Sequence, residues 1–500
     1  MIGRVVAGAD DAPAILAPDR PALTHCGLRR QVKHTVEQLA ALGIGGGDRV
    51  AIVLPNGPEM ASAFVSVAAA ATTAPLNPAY RADELDFYLG DIGVKAVLVG
   101  EKEDGPAVEV ARRLGVAVLR LAFDPTEPAG TFRVEGSAAG PPVVARPFGP
   151  GDTALLLHTS GTTSRPKLVP LSHANLAASA GNIGRTLALT AADRCLNIMP
   201  LFHIHGLIAA VRASLAAGGS VYCTPGFNAL RFFHWLADAK PSWYTAVPTM
   251  HQAIMARAGR NEEAVAAAAL RFIRSSSASL PSQVMAELEA TFRCPVIESY
   301  GMTEASHQMT SNLLPPGARK GGSVGVAAGP QVAIMASDGR LLGPGETGEV
   351  VIRGDNVTAG YERNPDANQT AFAHGWFHTG DQGALDAEGY LRISGRLKEI
   401  INRGGEKISP LEVDEVIMDH PAVAQVVTFA MPHEMLGEEV AAAIVLRDGL
   451  VVTEVEIREF CATRLADFKV PRKLVILDEI PKGATGKLQR IGLAAKLGLG

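Results

Sequence analysis

Paired cysteines are missing from this chain of 500 residues. Its five cysteines, Cys26, Cys195, Cys223, Cys294 and Cys461, are scattered and odd in number, with no C-x-x-C. That excludes a disulfide framework or a zinc cluster and fits a reducing cytosol. A basic surplus is missing too: 46 Lys+Arg against 51 Asp+Glu give a net charge of −5. Nucleic-acid and anionic-membrane binders rest on such a surplus, so neither partner is expected. Aromatics are only 5% of residues, so alanine and the aliphatics must build the core. No run of 18 uncharged apolar residues occurs. The stretch Glu59–Leu76 comes nearest, but it is Ala/Thr/Ser-rich and reads as a buried helix. Arg4, Asp10 and Asp11 stand where a signal peptide needs an apolar core, and Gly498-Leu-Gly500 is no peroxisomal address. A cytoplasmic protein without integral membrane contact is expected.

What is present is a globular composition, 47% hydrophobic and 19% charged. At roughly 100–200 residues per domain the length suggests two to four domains. The first half alternates strand and helix patterns. Asp48–Pro55 and Lys95–Val99 read as strands, Pro58–Thr72 and Asp83–Asp91 as helices. The same order recurs with strands at Ser220–Cys223, Ser242–Val247, Leu270–Arg274 and Pro295–Ser299. Helices at Phe227–Ala239, Pro248–Arg257 and Pro281–Phe292 lie between them. Such βαβ order predicts parallel sheets with helices on their faces. Beyond Gly321, short strands between Gly/Pro turns suggest a small β subdomain. From about Arg396 a compact α+β unit of roughly 100 residues follows. The expected fold class is α/β: a large N-terminal domain, residues 1–395, of αβαβα-type subdomains plus a small β subdomain. A small C-terminal domain, residues 396–500, follows a boundary near Lys398.

Five motifs carry chemistry. His158-Thr-Ser-Gly-Thr-Thr-Ser-Arg-Pro-Lys167 follows a strand-like run. A Gly/Ser/Thr loop with a lysine is a phosphate cradle, because backbone N–H groups, hydroxyls and an ammonium all face anionic oxygens. Its spacing is not that of the P-loop. In Tyr300-Gly-Met-Thr-Glu304 a tyrosine can stack a base, a threonine can donate to phosphate and a glutamate can hold Mg²⁺. In Gly375-Trp-Phe-His-Thr-Gly-Asp381 a carboxylate on a tight glycine turn can accept from ribose hydroxyls. Gly395-Arg-Leu-Lys-Glu-Ile-Ile-Asn-Arg-Gly-Gly-Glu-Lys407 and Pro481-Lys-Gly-Ala-Thr-Gly-Lys487 each set a lysine among glycines. Any one of these alone would pass for a solvated turn.

In this order, over nearly the whole chain, the five resemble the adenylate-forming acyl-CoA synthetase superfamily. The resemblance implies a two-step, ATP-dependent acid–thiol ligase with ATP, Mg²⁺ and CoA. An acyl-adenylate forms first and a thiol then displaces AMP. It also implies a mobile C-terminal domain turning about Lys398. Thr159, Ser160, Gly161, Thr162, Thr163 and Lys167 would hold the β- and γ-phosphates. Ser276, Ser277, Ala278 and Ser279 would flank the nucleotide on one side. Glu298, Ser299, Tyr300, Gly301, Met302 and Thr303 would flank it on the other, with Tyr300 stacked on adenine. Asp381 and Arg396 would hold the ribose, Thr303 the α-phosphate and Glu304 the metal. Lys487 would serve adenylation, and Thr303, Glu304 and His203 are the other catalytic candidates. Gly404, Gly405, Glu406 and Lys407 would line the CoA tunnel after rotation. Two positions depart from the usual pattern, Ser164 and Leu168, where glycine is common. They suggest altered loop stiffness, with activity kept.

For the acid, Met199–Ile208, Ala246–His251, Arg271–Leu280, Met302–Met309 and Asn402–Pro410 look most like oxalate–CoA ligases. Oxalate is a dianion, and burying its second carboxylate without donors costs several kcal/mol. Ser277, His203, His205 and His307 are candidate donors, with Ser277 and His307 favoured for the distal carboxylate. His307 follows Glu304 by three residues, so a helical turn would set both on one face. No arginine stands out for a bidentate grip, which leaves malonate and small monocarboxylates open. Medium-chain or coumarate-type acids, a carrier-loading adenylation module and a noncatalytic scaffold are the other readings. Monomer and homodimer are both compatible.

Overall fold

The computed structural model describes residues 6–159, 166–483 and 486–500. Two large sheets dominate. A seven-stranded sheet is built on parallel strands Arg49–Val53, Thr72–Pro75, Ala96–Gly100, Ala117–Ala122 and Thr153–His158, with antiparallel edges. A nine-stranded sheet contains parallel strands Arg194–Asn197, Ser220–Cys223, Trp243–Ala246, Phe272–Ser276 and Val296–Met302. These inner strands read as apolar runs because helices cover both faces. Val50, Ala51 and Ile52 are wholly buried, for example. Trp243 stacks on Phe272 with ring centroids 5.4 Å apart, which ties neighbouring strands of the second sheet.

The covering helices follow their own signals. His25–Ala41 is capped by the Thr24 hydroxyl, which accepts from Gly27 N–H, and it buries Leu28, Val32, Thr35 and Leu39 at helical spacing. Pro58 opens the helix Pro58–Val67 at a position where its missing N–H costs nothing. That helix stops short of its expected end at Thr72. The β-branched pair Thr72–Thr73 joins the first sheet instead, where Thr72 Oγ1 donates to the Thr153 carbonyl at 2.8 Å. Likewise Phe232–Ala239 begins five residues late, because Gly226 has φ +123° and Asn228 Oδ1 accepts from the N–H groups of Leu230 and Arg231.

The chain then forms a four-stranded antiparallel sheet ending on Leu391–Arg396. The next strand, Ile401–Arg403, belongs to a separate five-stranded sheet with helices Pro410–Met418 and Glu454–Ala462. Lys398 lies on the exposed turn between the two. Among the described residues no helix is long and apolar enough to cross a membrane.

Candidate active site

In an open parallel sheet, ligands gather outside the carboxyl ends of the strands. Three such ends of the nine-stranded sheet converge. Beyond Arg194–Asn197 come His203 and a π-helix, His205–Arg212, a rare form favoured at functional sites. Beyond Phe272–Ser276 comes Ser277, and beyond Val296–Met302 comes a short 3₁₀ turn, Thr303–Ala305. The middle strand starts two residues later than its expected Leu270. Ser275 and Ser276 are therefore inside the sheet and Ser277 stands at its rim. Ser277 has φ +76° and His307 φ +100°, left-handed values that cost a side-chain-bearing residue energy and cluster at functional sites.

One corner gathers Lys167, Glu304 and Tyr361. Thr153–His158 runs antiparallel to Leu168–Ser172, and Thr159 N–H donates to the Lys167 carbonyl at 2.9 Å, which closes the ends of the connecting loop. Ser160, Gly161, Thr162, Thr163 and Ser164 lie outside the described residues. Leu168 is buried and paired with His158. Lys167 Nζ sits 4.5 Å from the Tyr361 ring centre, and Tyr361 OH donates to Glu304 Oε1 at 2.8 Å. Burial pushes the Glu304 carboxyl up, opposed by Tyr361, Arg396 and Lys167. A buried carboxylate facing cations suits a hard divalent metal. Among the described residues no three His, Cys, Asp or Glu side chains form a metal cage. Mg²⁺ would rely on Glu304 and phosphate oxygens, its usual habit.

A second corner joins Tyr300, Asp381, Arg396 and Lys487. Asp381 lies within strand Phe377–Leu385 at a β-bulge of that strand, a correction to the expected tight turn; Gly380, at φ +74°, provides the local kink. Tyr300 OH donates to Asp381, and Arg396 Nε lies 3.5 Å away across the paired strand. Half-buried Lys487 reaches this corner from the C-terminal unit. Burial lowers its pKa to about 8, with Arg396 adding and Asp381 opposing. The unit is held there in part by Thr249 Oγ1, which donates to the Gly486 carbonyl at 2.7 Å, and by Gln252 Nε2, which donates to the Ala424 carbonyl at 2.9 Å.

The third corner is the acid side. His205 Nδ1 lies 3.0 Å from Ser277 Oγ, and the His205 and His307 rings are 4.8 Å apart. His203 adjoins them, its pKa lowered to about 3 by burial and Lys487. The helical turn expected to align Glu304 with His307 does not form. Ser306 and His307 both have positive φ and throw the chain into strand His307–Ser311. Glu304 therefore turns to Tyr361 and His307 to the histidine cluster. That reversal needs a bare backbone opposite: a Cβ on Gly301 would lie 1.5 Å from the His307 carbonyl oxygen. Gly301→Ala should lower stability by roughly 2–4 kcal/mol, read as a fall in the urea midpoint. An unchanged midpoint would contradict that packing.

Arg274 is the residue that the sequence did not point to. It is fully buried, its guanidinium 3.4 Å from both His205 Nε2 and His307 Nδ1. Several expected nucleotide residues spend their side chains elsewhere. Glu298 Oε1 accepts from Leu280 N–H at 2.9 Å, and Ser276 Oγ donates to the Ser299 carbonyl at 2.9 Å. Ser299 Oγ donates to Ser275 at 3.4 Å. Gly404, Gly405, Glu406 and Lys407 form a hairpin turn, with φ +59° and +101° at the glycines, on the exposed face of the C-terminal unit.

These features define a nucleotide-dependent acid-activating enzyme with a two-part site. The AMP-binding enzyme family matches residues 3–362, and the AMP-binding enzyme C-terminal domain matches residues 412–487. The chain belongs to this family, the adenylate-forming acyl-CoA synthetases, and is an acid–thiol ligase using ATP, Mg²⁺ and CoA. It is 46% identical over 491 residues to an oxalate–CoA ligase of Arabidopsis thaliana, covering 95% of each chain. To an oxalate–CoA ligase of Saccharomyces cerevisiae it is 42% identical over 472 residues, covering 89% of this chain and 86% of that one. The solved structure of ATP-bound MatB from Rhodopseudomonas palustris matches with a TM-score of 0.88 at 29% identity, over 99% of this chain and 98% of that one.

Proposed function

We propose that this chain joins oxalate to CoA: oxalate, ATP and CoA give oxalyl-CoA, AMP and diphosphate through an oxalyl-adenylate. The carrying observation is the acid corner, where Ser277, His205, His307 and buried Arg274 meet without a protein carboxylate among the described residues. A smooth apolar tunnel, which a long acyl chain wants, would not spend buried donors in this way. The likeness to two oxalate–CoA ligases supports the same substrate.

A carboxylate is a poor acyl donor because its leaving group would be oxide. Its attack on the α-phosphate brings two anions together, so the site must supply preorganised positive charge. Lys487 would bridge the attacking carboxylate and the α-phosphate. Thr303 would donate to the α-phosphate, and Lys167 with the 159–163 loop would hold the outgoing diphosphate. Mg²⁺ would neutralise phosphate charge, held by Glu304. Asp381 and Arg396 would fix the ribose, with Tyr300 against the base and the Ser276–Ser279 segment across from it. Thioesterification would then need the Lys487 loop to leave. We read the C-terminal unit beyond Lys398 as a body that turns about that residue and brings Gly404, Gly405, Glu406 and Lys407 to the pantetheine arm; Arg396, paired with Asp381, stays with the preceding sheet. A reducing, cytosolic location suits its five free cysteines, and we read the protein as a monomer or homodimer.

The test is AMP release with ATP, Mg²⁺, CoA and one acid at a time: oxalate, malonate, acetate, octanoate or 4-coumarate. Oxalate should lead the others by about tenfold or more in kcat/KM. Octanoate or 4-coumarate ahead of oxalate would sink the assignment.

A further inference from the structure

Arg274 makes no ion pair with an Asp or Glu among the described residues, although it is 0% exposed. A buried cation left in this way is costly and calls for a reason. Its Nη1 faces His205 Nε2 at 3.4 Å and Thr245 Oγ1 at 3.5 Å. Its Nη2 faces His307 Nδ1 at 3.4 Å and Gln308 Oε1 at 3.3 Å. A guanidinium can only donate. For these contacts to be hydrogen bonds each ring nitrogen must carry a lone pair; on the His205 side Thr245 Oγ1, which accepts from Arg274, lies 2.6 Å from Nε2 and donates its own proton there. His205 is then protonated on Nδ1, and that N–H donates to Ser277 Oγ at 3.0 Å. The Ser277 hydroxyl proton is left to point elsewhere. His307 is protonated on Nε2, which has no partner among the described residues.

We propose that Arg274 is a positioning residue for acid specificity. By donating to His205 and His307 together, it locks the tautomers in which Ser277 O–H and His307 Nε2–H both donate to the second carboxylate of a small dicarboxylate. The inference rests on the dicarboxylate reading above.

The electrostatics agree. Burial first, then Arg274, holds His307 well below the usual imidazole range. Burial, then His307 and Arg274, does the same to His205. The groups acting on His307 are Arg274 from its strand, His203 and His205 from the loop and π-helix, and Lys487 from the C-terminal loop. Glu304, three residues earlier, is turned to Tyr361. Both rings thus stay neutral at neutral pH, and the lone pairs given to Arg274 are unavailable to repel a carboxylate.

The experiment uses full-length enzyme labelled with ¹⁵N-histidine, with His205→Gln and His307→Gln for assignment. In wild type, Nδ1 of His307 and Nε2 of His205 should appear as unprotonated nitrogens. Arg274→Met should raise KM for oxalate by roughly 10–100-fold while KM for acetate moves less than about threefold. In that variant the guanidinium no longer donates to the two ring nitrogens, so Nδ1 of His307 or Nε2 of His205 should appear protonated in part. Arg274→Lys, a point charge that cannot face both rings, should free one tautomer and give an intermediate KM. It also serves if the methionine variant does not fold. A wild-type His307 protonated on Nδ1 would overturn the proposal, as would equal losses on oxalate and acetate. If wild type turns over no oxalate, the functional reading fails, and the imidazole spectra still decide the tautomers.

Discussion

Lys487→Ala should cut acyl-adenylate formation by roughly 10²–10³-fold and leave thioester formation from supplied acyl-adenylate within about twofold. The reason is geometric. Lys487 is the C-terminal unit's cation at the corner of Asp381, Arg396 and His203, which it reaches from the other unit in the present arrangement. Its charge is needed while carboxylate and α-phosphate approach. Once the adenylate exists, the proposed rotation carries that loop away. Pyrophosphate exchange reads the first step and CoA consumption from synthetic adenylate reads the second. Equal loss of both would refute the role.

The same lysine gives a pH signature. Its pKa is lowered to about 8, so the ammonium is present below that pH and lost above it. Adenylation kcat/KM, which reports the free enzyme, should fall as pH rises through about 8. Two bound anions favour the charged form, so the limb in kcat should lie at higher pH. Lys487→Arg keeps its charge far above this range and should lose the limb while retaining partial activity. A limb that survives in the arginine variant belongs to another group.

Much of this site was legible because its residues stand in short motifs punctuated by glycine. Tyr300, Asp381 and Lys487 each stand next to a glycine, and order along the chain was enough to group them. Gly301 illustrates the limit. Its neighbour across space is the His307 carbonyl, set by a strand reversal that starts with positive φ at Ser306. Spacing of three suggested a helical turn there, and local backbone geometry overrode it. Arg274 was illegible for a different reason. An arginine in Arg271-Phe-Ile-Arg274 looks like the polar face of a half-exposed strand. Only the pairing of Phe272–Ser276 with Val296–Met302, and of that strand with His307–Ser311, seals it beneath two histidines. The short strand Thr72–Pro75 was hidden too, because an alanine-rich helix runs up to it and its partners are distant in sequence, Arg49–Ile52 on one side and the strand that starts at Thr153 on the other.

Glu304→Gln should separate function from stability in opposite directions. The glutamate is 5% exposed, and burial outweighs the help of Tyr361, Arg396 and Lys167, so its folded-state pKa is raised. The unfolded chain ionises it more readily. Its ionised form therefore costs the apo fold energy, a cost that shrinks as pH falls towards the unfolded value. Glutamine removes the charge, keeps an oxygen to accept from Tyr361 OH, and should stabilise the apoenzyme by roughly 1–2 kcal/mol. The effect should fade in acid, where wild type is protonated too. Adenylation should drop by roughly 10²–10³-fold, because a neutral amide holds Mg²⁺ poorly and leaves the phosphate charge unbalanced. Extra Mg²⁺ should recover part of the rate. A Tm scan across pH and pyrophosphate exchange across Mg²⁺ concentration check both halves. A destabilised Glu304→Gln enzyme would mean that the carboxylate is a structural strut. An active one would mean that the metal is held elsewhere. The expected pairing, a more stable and nearly inactive enzyme, is what a carboxylate kept buried for a cation should produce.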